Sequence, residues 1–453
     1  MTEVRREPFE WWVDTALLAL IFVKLAITGM NVWTFDGSVY DQEHHLWRAH
    51  YAGFNLTKMA YNPPPYYFPA APIRLVNWLT GNDANLDRWL LVGLRATNVG
   101  WLAVFYLTWI RYNLPRLLPD WRGRALASLW LLALPGYQKL AVMVHPDNAF
   151  AALAAVTLAA WFYTSEKPAT ERSSWGPLAL ATGFVGLTRP FAIVPVAVFW
   201  LAGVMRMLGG FVLPDRRTLR PLLYFTVIIG VLAGGWQVAR AVAASTVLDA
   251  YSDKYIAQFE PYRAGFDFEH YFTSFYFEDL TNKPNRLIAG GTHAAPKRQD
   301  RHGNSFFTIL YSEVWGDHWL YFSGKREKET KAVVKRHILQ AALVPSIWWI
   351  GRTLVGMGAV TVRWIRGPRR PAELIVLASF VMGVAMYLWW QTGPALLPGK
   401  NSTIKFIYNA QLFPLSLVLA YTVRPSRVEV AITVAVLLLL FGLTLPFVLY
   451  LPT

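Results

Sequence analysis

Long apolar runs recur along the whole chain, and nothing constrains its fold more. Approximate cores lie at 12–30, 90–110, 125–143, 148–164, 175–188, 190–206, 222–243, 343–362, 372–390, 406–422 and 429–450. A helix needs about 20 mostly apolar residues to cross the hydrocarbon core of a bilayer. In lipid the backbone has to satisfy its own polar groups, which leaves helices as the only element for such runs. The pattern predicts an all-α polytopic membrane protein with about eleven transmembrane helices. The fifth and sixth runs are short and meet at Thr188-Arg189-Pro190, which also fits a re-entrant pair. The first run lacks a clear small-residue cleavage site, and a polar loop and further spans follow it, so it is expected to stay as an anchor.

Composition agrees with that expectation. Hydrophobic residues make up 55% of the chain and charged ones 16%, against about 45–50% and about 25% in soluble domains. The formal charge is +15. Eighteen of the 43 Lys and Arg residues fall in short loops that alternate with the others, among them Arg5, Arg111, Arg124, Lys167, Arg206, Arg363 and Arg424. The positive-inside rule assigns those loops to the cytoplasm, with the N-terminus inside and the C-terminus outside. The basic residues are dispersed over loops rather than gathered on one face, so no nucleic-acid partner is expected. With no cysteine in the chain, disulfides, iron–sulfur clusters, thiolate zinc sites and cysteine nucleophiles are excluded.

Two long segments fall on the opposite side, about 31–89 and about 244–336. They divide the chain into an N-terminal transmembrane module (1–243, with the first external loop 31–89), an extracytoplasmic loop region (244–336) and C-terminal transmembrane helices (337–453). Both external loops are expected to carry short amphipathic helices. The stretch Lys325–Arg336 reads as a basic helix at the membrane surface. No internal repeat suggests the paired halves of a secondary transporter.

Polar residues cluster in these outer segments. The first loop begins Phe35-Asp-Gly-Ser-Val-Tyr-Asp-Gln-Glu-His-His-Leu-Trp-Arg-Ala-His50. On a helix, Asp41 and His45 share one face at i,i+4, and a carboxylate beside an imidazole suits a general base. Glu43, His44 and His45 also have metal-ligand chemistry, although no His-Glu-x-x-His spacing is present. A solvated amphipathic helix explains the same residues. Downstream, Tyr61-Asn-Pro-Pro-Pro-Tyr-Tyr-Phe68 is forced into an extended stretch by its prolines. Its tyrosines suit an anchor at the membrane interface or the wall of a cavity there.

The next outer turn, Val144-His-Pro-Asp-Asn148, has almost no loop around it. An ionisable group so close to hydrocarbon faces a cavity or a partner, while Asp147 or Asn148 as a helix N-cap is the structural alternative. Arg189, Arg95 and Arg352 lie in or near spans, and each needs an anionic partner such as a carboxylate or a lipid phosphate. Lys400 and Lys405 precede the tenth span and suit snorkelling anchors. The second loop contains Asn304-Ser-Phe-Phe-Thr-Ile-Leu-Tyr-Ser-Glu-Val-Trp-Gly-Asp-His-Trp319, with Glu313, Asp317 and His318 among aromatic rings. That combination fits a sugar, or an aromatic belt at the interface. Neither a P-loop nor a Gly-x-Ser-x-Gly motif is present.

In their order along the chain, Asp41-Gln-Glu-His-His45, Asn62-Pro-Pro-Pro-Tyr-Tyr67 and His145-Pro-Asp-Asn148 resemble the acidic and proline-aromatic motifs of the GT-C superfamily of polytopic glycosyltransferases. The middle segment is similar to one in the aminoarabinose and protein-mannosyl transferases. Lys405-Phe-Ile-Tyr408, leading to Pro414, resembles their late Arg-Tyr-x-x-Pro motif, with Lys in place of Arg. Asp41/His45 and Leu187-Thr-Arg-Pro190 resemble the dolichyl-phosphate-glucose glucosyltransferase.

The resemblance implies an enzyme that moves a sugar from a polyprenyl-phosphate donor to a glycolipid, polysaccharide or protein acceptor on the extracytoplasmic face, with inversion. It implies Asp41, Asp147, Glu43 and His45 as catalytic residues. The base remains open among Asp36, Asp41 and Glu43, because Gln42 interrupts the usual adjacent pair. His44, His145, Asn148, Arg189, Asp317, His318, Lys405 and Tyr408 are implied to bind substrate. No cofactor is required, and a divalent cation is compatible with the residues. The composition leans bacterial, hence an inner membrane with a periplasmic or outward site. A lipid or sugar transporter, and a polysaccharide ligase or polymerase using diphosphate-linked donors, are the competing classes.

Overall fold

The computed structural model describes residues 8–34, 46, 49–50, 66–67, 69–81, 85–169, 171, 174–189, 192–208, 216–236, 238, 242, 268–275, 305–315, 329–367, 370–392 and 406–448. Among them there are helices and turns and no strand. In chain order the helices are α1 (Pro8–Thr34), α2 (Ala70–Thr80) and α3 (Leu86–Leu107), which continues through a π-helical turn to Leu117. They continue with α4 (Trp121–Ala133), α5 (Gly136–Val142), α6 (Asp147–Ser165), α7 (Trp175–Gly186), α8 (Ile193–Met207) and α9 (Arg216–Ile229). The last are α10 (Phe268–Thr273), α11 (Phe306–Trp315), α12 (Glu329–Arg366), α13 (Pro371–Thr392), α14 (Leu412–Tyr421) and α15 (Arg427–Val448).

Six of these segments are long and apolar enough to cross a membrane: Glu10–Val32, Leu86–Leu117, Asp147–Ser165, His337–Arg366, Pro371–Trp389 and Arg427–Leu445. A seventh arises if α4 and α5, bent by 48° at a short break, form one span. Of the other four expected crossings, three coincide with shorter apolar helices among the described residues, Ile193–Met207, Leu219–Gly234 and Leu412–Tyr421, and the fourth with α7. At 1.5 Å per residue, the 12 residues of α7 reach about 18 Å, less than the roughly 30 Å of hydrocarbon. Hydropathy measures how apolar a run is and does not register where the chain turns inside it.

The break in the third span has a local cause. Leu134 precedes Pro135 and is extended, with φ −66° and ψ 117°, as pre-proline sterics favour. Carbonyls around the break lose their helical partners, and other helices supply donors. The ammonium of Lys24, on α1, donates to the carbonyls of Leu132 and Leu134. The Thr444 hydroxyl, on α15, lies 3.3 Å from the Ala133 carbonyl. Lys24 is fully buried, and Thr28 and Asn31 continue a buried polar stripe at i+4 and i+7.

Loops assigned to one side do meet at one end of the bundle. Glu10 pairs with Arg124 at 3.3 Å and Asp14 with Arg111 at 3.4 Å. Glu166 pairs with Arg116 and Asp120 with Arg424, both at 3.4 Å. Arg206 donates to the main-chain oxygens of Ser165 and Lys167 at 2.8 and 2.6 Å. Arg352 finds the anionic partner expected of it in Glu429, at 3.4 Å.

Two segments of the second external region are described in part. Helix α11, expected in an external loop, is packed into the bundle, with Thr308, Ile309, Glu313, Val314 and Trp315 buried. Its Trp315 ring stands 5.9 Å from Trp130, which stands 5.0 Å from Trp349, and its indole donates to Ser346 at 2.8 Å. An aromatic belt at the interface does not describe such a helix. The basic stretch 325–336 is described from Glu329 onward, where it forms the first turns of the 38-residue α12.

Helices α12 and α14 approach until backbones touch, and Gly356 makes that approach feasible. A Cβ there would collide with the main-chain oxygen of Leu419, whereas one at Gly358 would meet nothing. Gly356→Val is therefore expected to lower thermal stability in detergent by more than the helix-propensity cost that Gly358→Val shares, with an overpacking cost of about 1–3 kcal/mol. Equal melting temperatures for the two variants would refute the close approach.

Candidate functional site

The residues singled out near positions 145 and 189 converge at the end of the bundle opposite the ion pairs just described. Helix α5 ends at Val142, and Met143 turns extended, with φ −74° and ψ 133°. Pro146 then takes the N-cap position of α6 without a side-chain cap. The N-cap reading of Asp147 and Asn148 is thus replaced: both sit in the first helical turn. Their side chains are free to make longer-range contacts, and an anion there is favoured by the helix dipole.

Arg189 comes from the turn between α7 and α8. That turn is held by Thr188, whose hydroxyl donates to Val185 O at 2.6 Å, and by the Ala192 amide, which donates to Arg189 O at 3.0 Å. The guanidinium takes Asp147 bidentately. Nε lies 2.7 Å from Oδ1, and Nη2 lies 2.6 Å from Oδ2. Nδ1 of His145 contacts the same Oδ2, and its Nε2 lies 3.1 Å from Arg189 Nη2. Asp147 is 1% exposed and His145 3%.

Arginine only donates and an ionised carboxylate only accepts. The imidazole meets Asp147 through Nδ1, and Arg189 Nη2 lies 3.1 Å from its Nε2 and 3.4 Å from its Nδ1. The result is a closed ring of three side chains, each in contact with the other two. Both Asp147 oxygens are engaged, so this carboxylate orients its neighbours. The Nε–Nη2 edge of Arg189, read from the sequence as a candidate for phosphate, is committed to Asp147.

Two further elements join the cluster. Asn148 donates to the main-chain oxygen of Asn98 at 2.6 Å, and Asn98 donates to Met143 O at 2.5 Å. Tyr66, from the proline-aromatic segment, lies against the Asn98 side chain and the His145 backbone. Burial, helped by Tyr67 and the Asp147 carboxylate, pushes the Tyr66 phenol well above its ordinary range, so it remains protonated. Tyr66 and Tyr67 are both buried, packed with Val144 and Ala149. They line the interior here rather than anchoring an interface.

Of the other candidates, Asp36, Asp41, Glu43, His44, His45, Asp317, His318 and Lys405 lie outside the described residues. So does the side chain of Tyr408, whose backbone belongs to a 3-10 turn, Phe406–Asn409. Among the described residues no three His, Asp or Glu side chains gather as a metal site. Sequence reasoning passed over Asn98, three residues after the buried Arg95 on α3, and Lys139 on α5. Both are polar residues inside apolar runs, the one signal that marks them. An apolar slot lined by Ala151, Ala155, Val194, Phe199, Ile375 and Met386 begins one turn along α6 from Asp147.

No family model matches the chain, and no curated protein does. Its neighbours among solved structures include ArnT from Cupriavidus metallidurans bound to undecaprenyl phosphate, with 16% identity, 91% of this chain and 77% of that chain covered, and a TM-score of 0.32. The apo state of ArnT aligns with 16% identity, 90% and 76% coverage and a TM-score of 0.33. Arabinosyltransferase EmbB from Mycobacterium smegmatis aligns with 15% identity, 96% of this chain, 42% of that chain and a TM-score of 0.30. Likeness at this level fixes no residue of the site.

Removing one partner of a buried ion pair strands the other charge. Asp147→Asn is expected to cost about 3–5 kcal/mol of stability. Asp147→Asn combined with Arg189→Gln should cost less than the sum of the single variants, read as a double-mutant cycle in thermal unfolding. Strict additivity would show that the two side chains do not depend on each other.

Proposed function

We propose that the protein is a membrane glycosyltransferase of the GT-C type, moving a sugar from a polyprenyl-phosphate donor to an acceptor hydroxyl at the end of the bundle that holds the His145–Asp147–Arg189 ring. The observation that carries this reading is the meeting of two distant motifs. Tyr66, from the segment similar to a GT-C proline-aromatic motif, lies against His145 and near Asp147, from the second acidic position. A chance resemblance has no reason to bring these positions together. The slot beside α6 offers apolar walls of the kind a hydrocarbon tail needs.

The chemistry follows from the residue types. Both Asp147 oxygens face Arg189 and His145, so the general base is assigned to the first loop, with Asp41 as the principal candidate beside Asp36 and Glu43. The base takes the acceptor's hydroxyl proton, and the acceptor oxygen attacks the anomeric carbon. The bond from that carbon to the phosphate oxygen breaks with inversion, and the lipid phosphate leaves with the electron pair. Its charge needs a cation, for which Lys405 and Arg95 are the candidates, Arg189 being turned to Asp147. His44, His45, Asn148, Asp317, His318 and Tyr408 would orient sugar and acceptor. The reaction as written needs no cofactor; a divalent cation would act on the leaving phosphate. The site faces the periplasm or the outside of a bacterial inner membrane, with the N-terminus in the cytoplasm, as the basic loops favour.

Purified protein incubated with labelled polyprenyl-phosphate sugars and a membrane lipid extract is expected to yield a new glycosylated product. Asp41→Asn should abolish it while protein yield and lipid-phosphate binding stay near normal. Full activity in that variant removes Asp41 as the base. Flux of the donor across vesicles without a covalent product would favour a transporter instead.

A further inference from the structure

Helix α11 raises a question that the proposed reaction leaves untouched. It is ten residues long, too short to span, and comes from a segment with the composition of an external loop. Yet it is buried in the bundle and meets α5 through a charge. The Lys139 ammonium donates to the main-chain oxygen of Glu313 at 2.7 Å and stands 3.6 Å from its carboxylate. Both side chains are about nineteen-twentieths buried. A buried ion pair gains little net stability over apolar residues of the same size, and its best-attested use is to set register.

The contacts around it show what register that is. The Lys139 carbonyl accepts the Met143 amide at 3.0 Å, closing the last turn of α5. Met143 O accepts from the Asn98 side chain, and Asn98 O accepts from the Asn148 side chain. Asn148 is adjacent to Asp147. The contacts therefore run without a gap from α11, through α5 and α3, to the first turn of α6. On the other face of α5, Tyr137 donates to Ala410 O at 2.8 Å. The half-helix is thus clamped on two sides, and only the α11 clamp carries charge.

We infer that Lys139 and Glu313 are positioning residues for the His145–Asp147–Arg189 ring: seating α11 on α5 holds the turn 143–148 in place. The inference concerns geometry, so its test does not need the transfer reaction. With no native cysteine, a single introduced thiol is an unambiguous reporter. Val144→Cys places one in the buried turn beside His145, and Leu178→Cys places a control in α7, away from this chain of contacts.

Maleimide labelling of the full-length protein in detergent is the measurement. With the pair intact both thiols should react slowly. Lys139→Met or Glu313→Gln should speed labelling at 144 by about tenfold or more, since each strands a buried charge, and leave position 178 within about twofold. Lys139→Arg should retain most of the protection. The Lys139→Met/Glu313→Gln double variant should label more slowly than the product of the two single effects predicts. Continued protection at 144 in both single variants, equal opening of 144 and 178, or strictly multiplicative effects would each overturn the inference. None of these outcomes depends on whether the protein transfers a sugar.

Discussion

Inside hydrocarbon a backbone carbonyl or amide without a partner costs several kcal/mol, and this chain breaks helix once within its third apolar run and again between the third and the fourth. The first break, at Leu134-Pro135, separates α4 from α5; the second, at 143–146, separates α5 from α6. Each is tolerable because side chains from other helices supply the missing donors. Lys24 and Thr444 serve the first, and Asn98 serves the second. The short helix between the breaks is where α1, α3, α11 and the Phe406–Asn409 turn come together. The bundle has its polar centre there because the helix is broken there.

A lysine is well suited to the first break. An ammonium offers three donors on a flexible stem, so one residue reaches the carbonyls of both Leu132 and Leu134. The carbonyl dipoles disperse its charge without a carboxylate. The second break uses a neutral amide instead and reserves charge for the ring of His145, Asp147 and Arg189. Arg352 follows another rule at the far end of the bundle, with Glu429 at 3.4 Å and the Tyr421 ring 5.6 Å beneath its guanidinium.

How much of this was legible depended on the distance over which each cause acts. Hydropathy is local, so the helical class and the long spans could be read directly, and so could the basic loops that now interlock at one end. Partnership is not local. Asp147 and Arg189 were both singled out as charges in need of a partner, but 42 residues separate them and nothing in the sequence said they would take each other. Lys24 and Lys139 were hidden because a single lysine barely alters an apolar run. Their partners lie about 110 and 174 residues away. The burial of helix α11 was hidden by its polar flanks, although its own residues, Phe306-Phe-Thr-Ile-Leu-Tyr-Ser-Glu-Val-Trp315, are mostly apolar.

The closed ring also limits the chemistry this end of the bundle performs by itself. A general base needs an oxygen or nitrogen lone pair directed at its substrate. Asp147 has both oxygens on Arg189 and His145, and Arg189 Nη2 lies 3.1 and 3.4 Å from the two nitrogens of His145. What the ring contributes is rigidity: it joins the α5–α6 break to the α7–α8 turn.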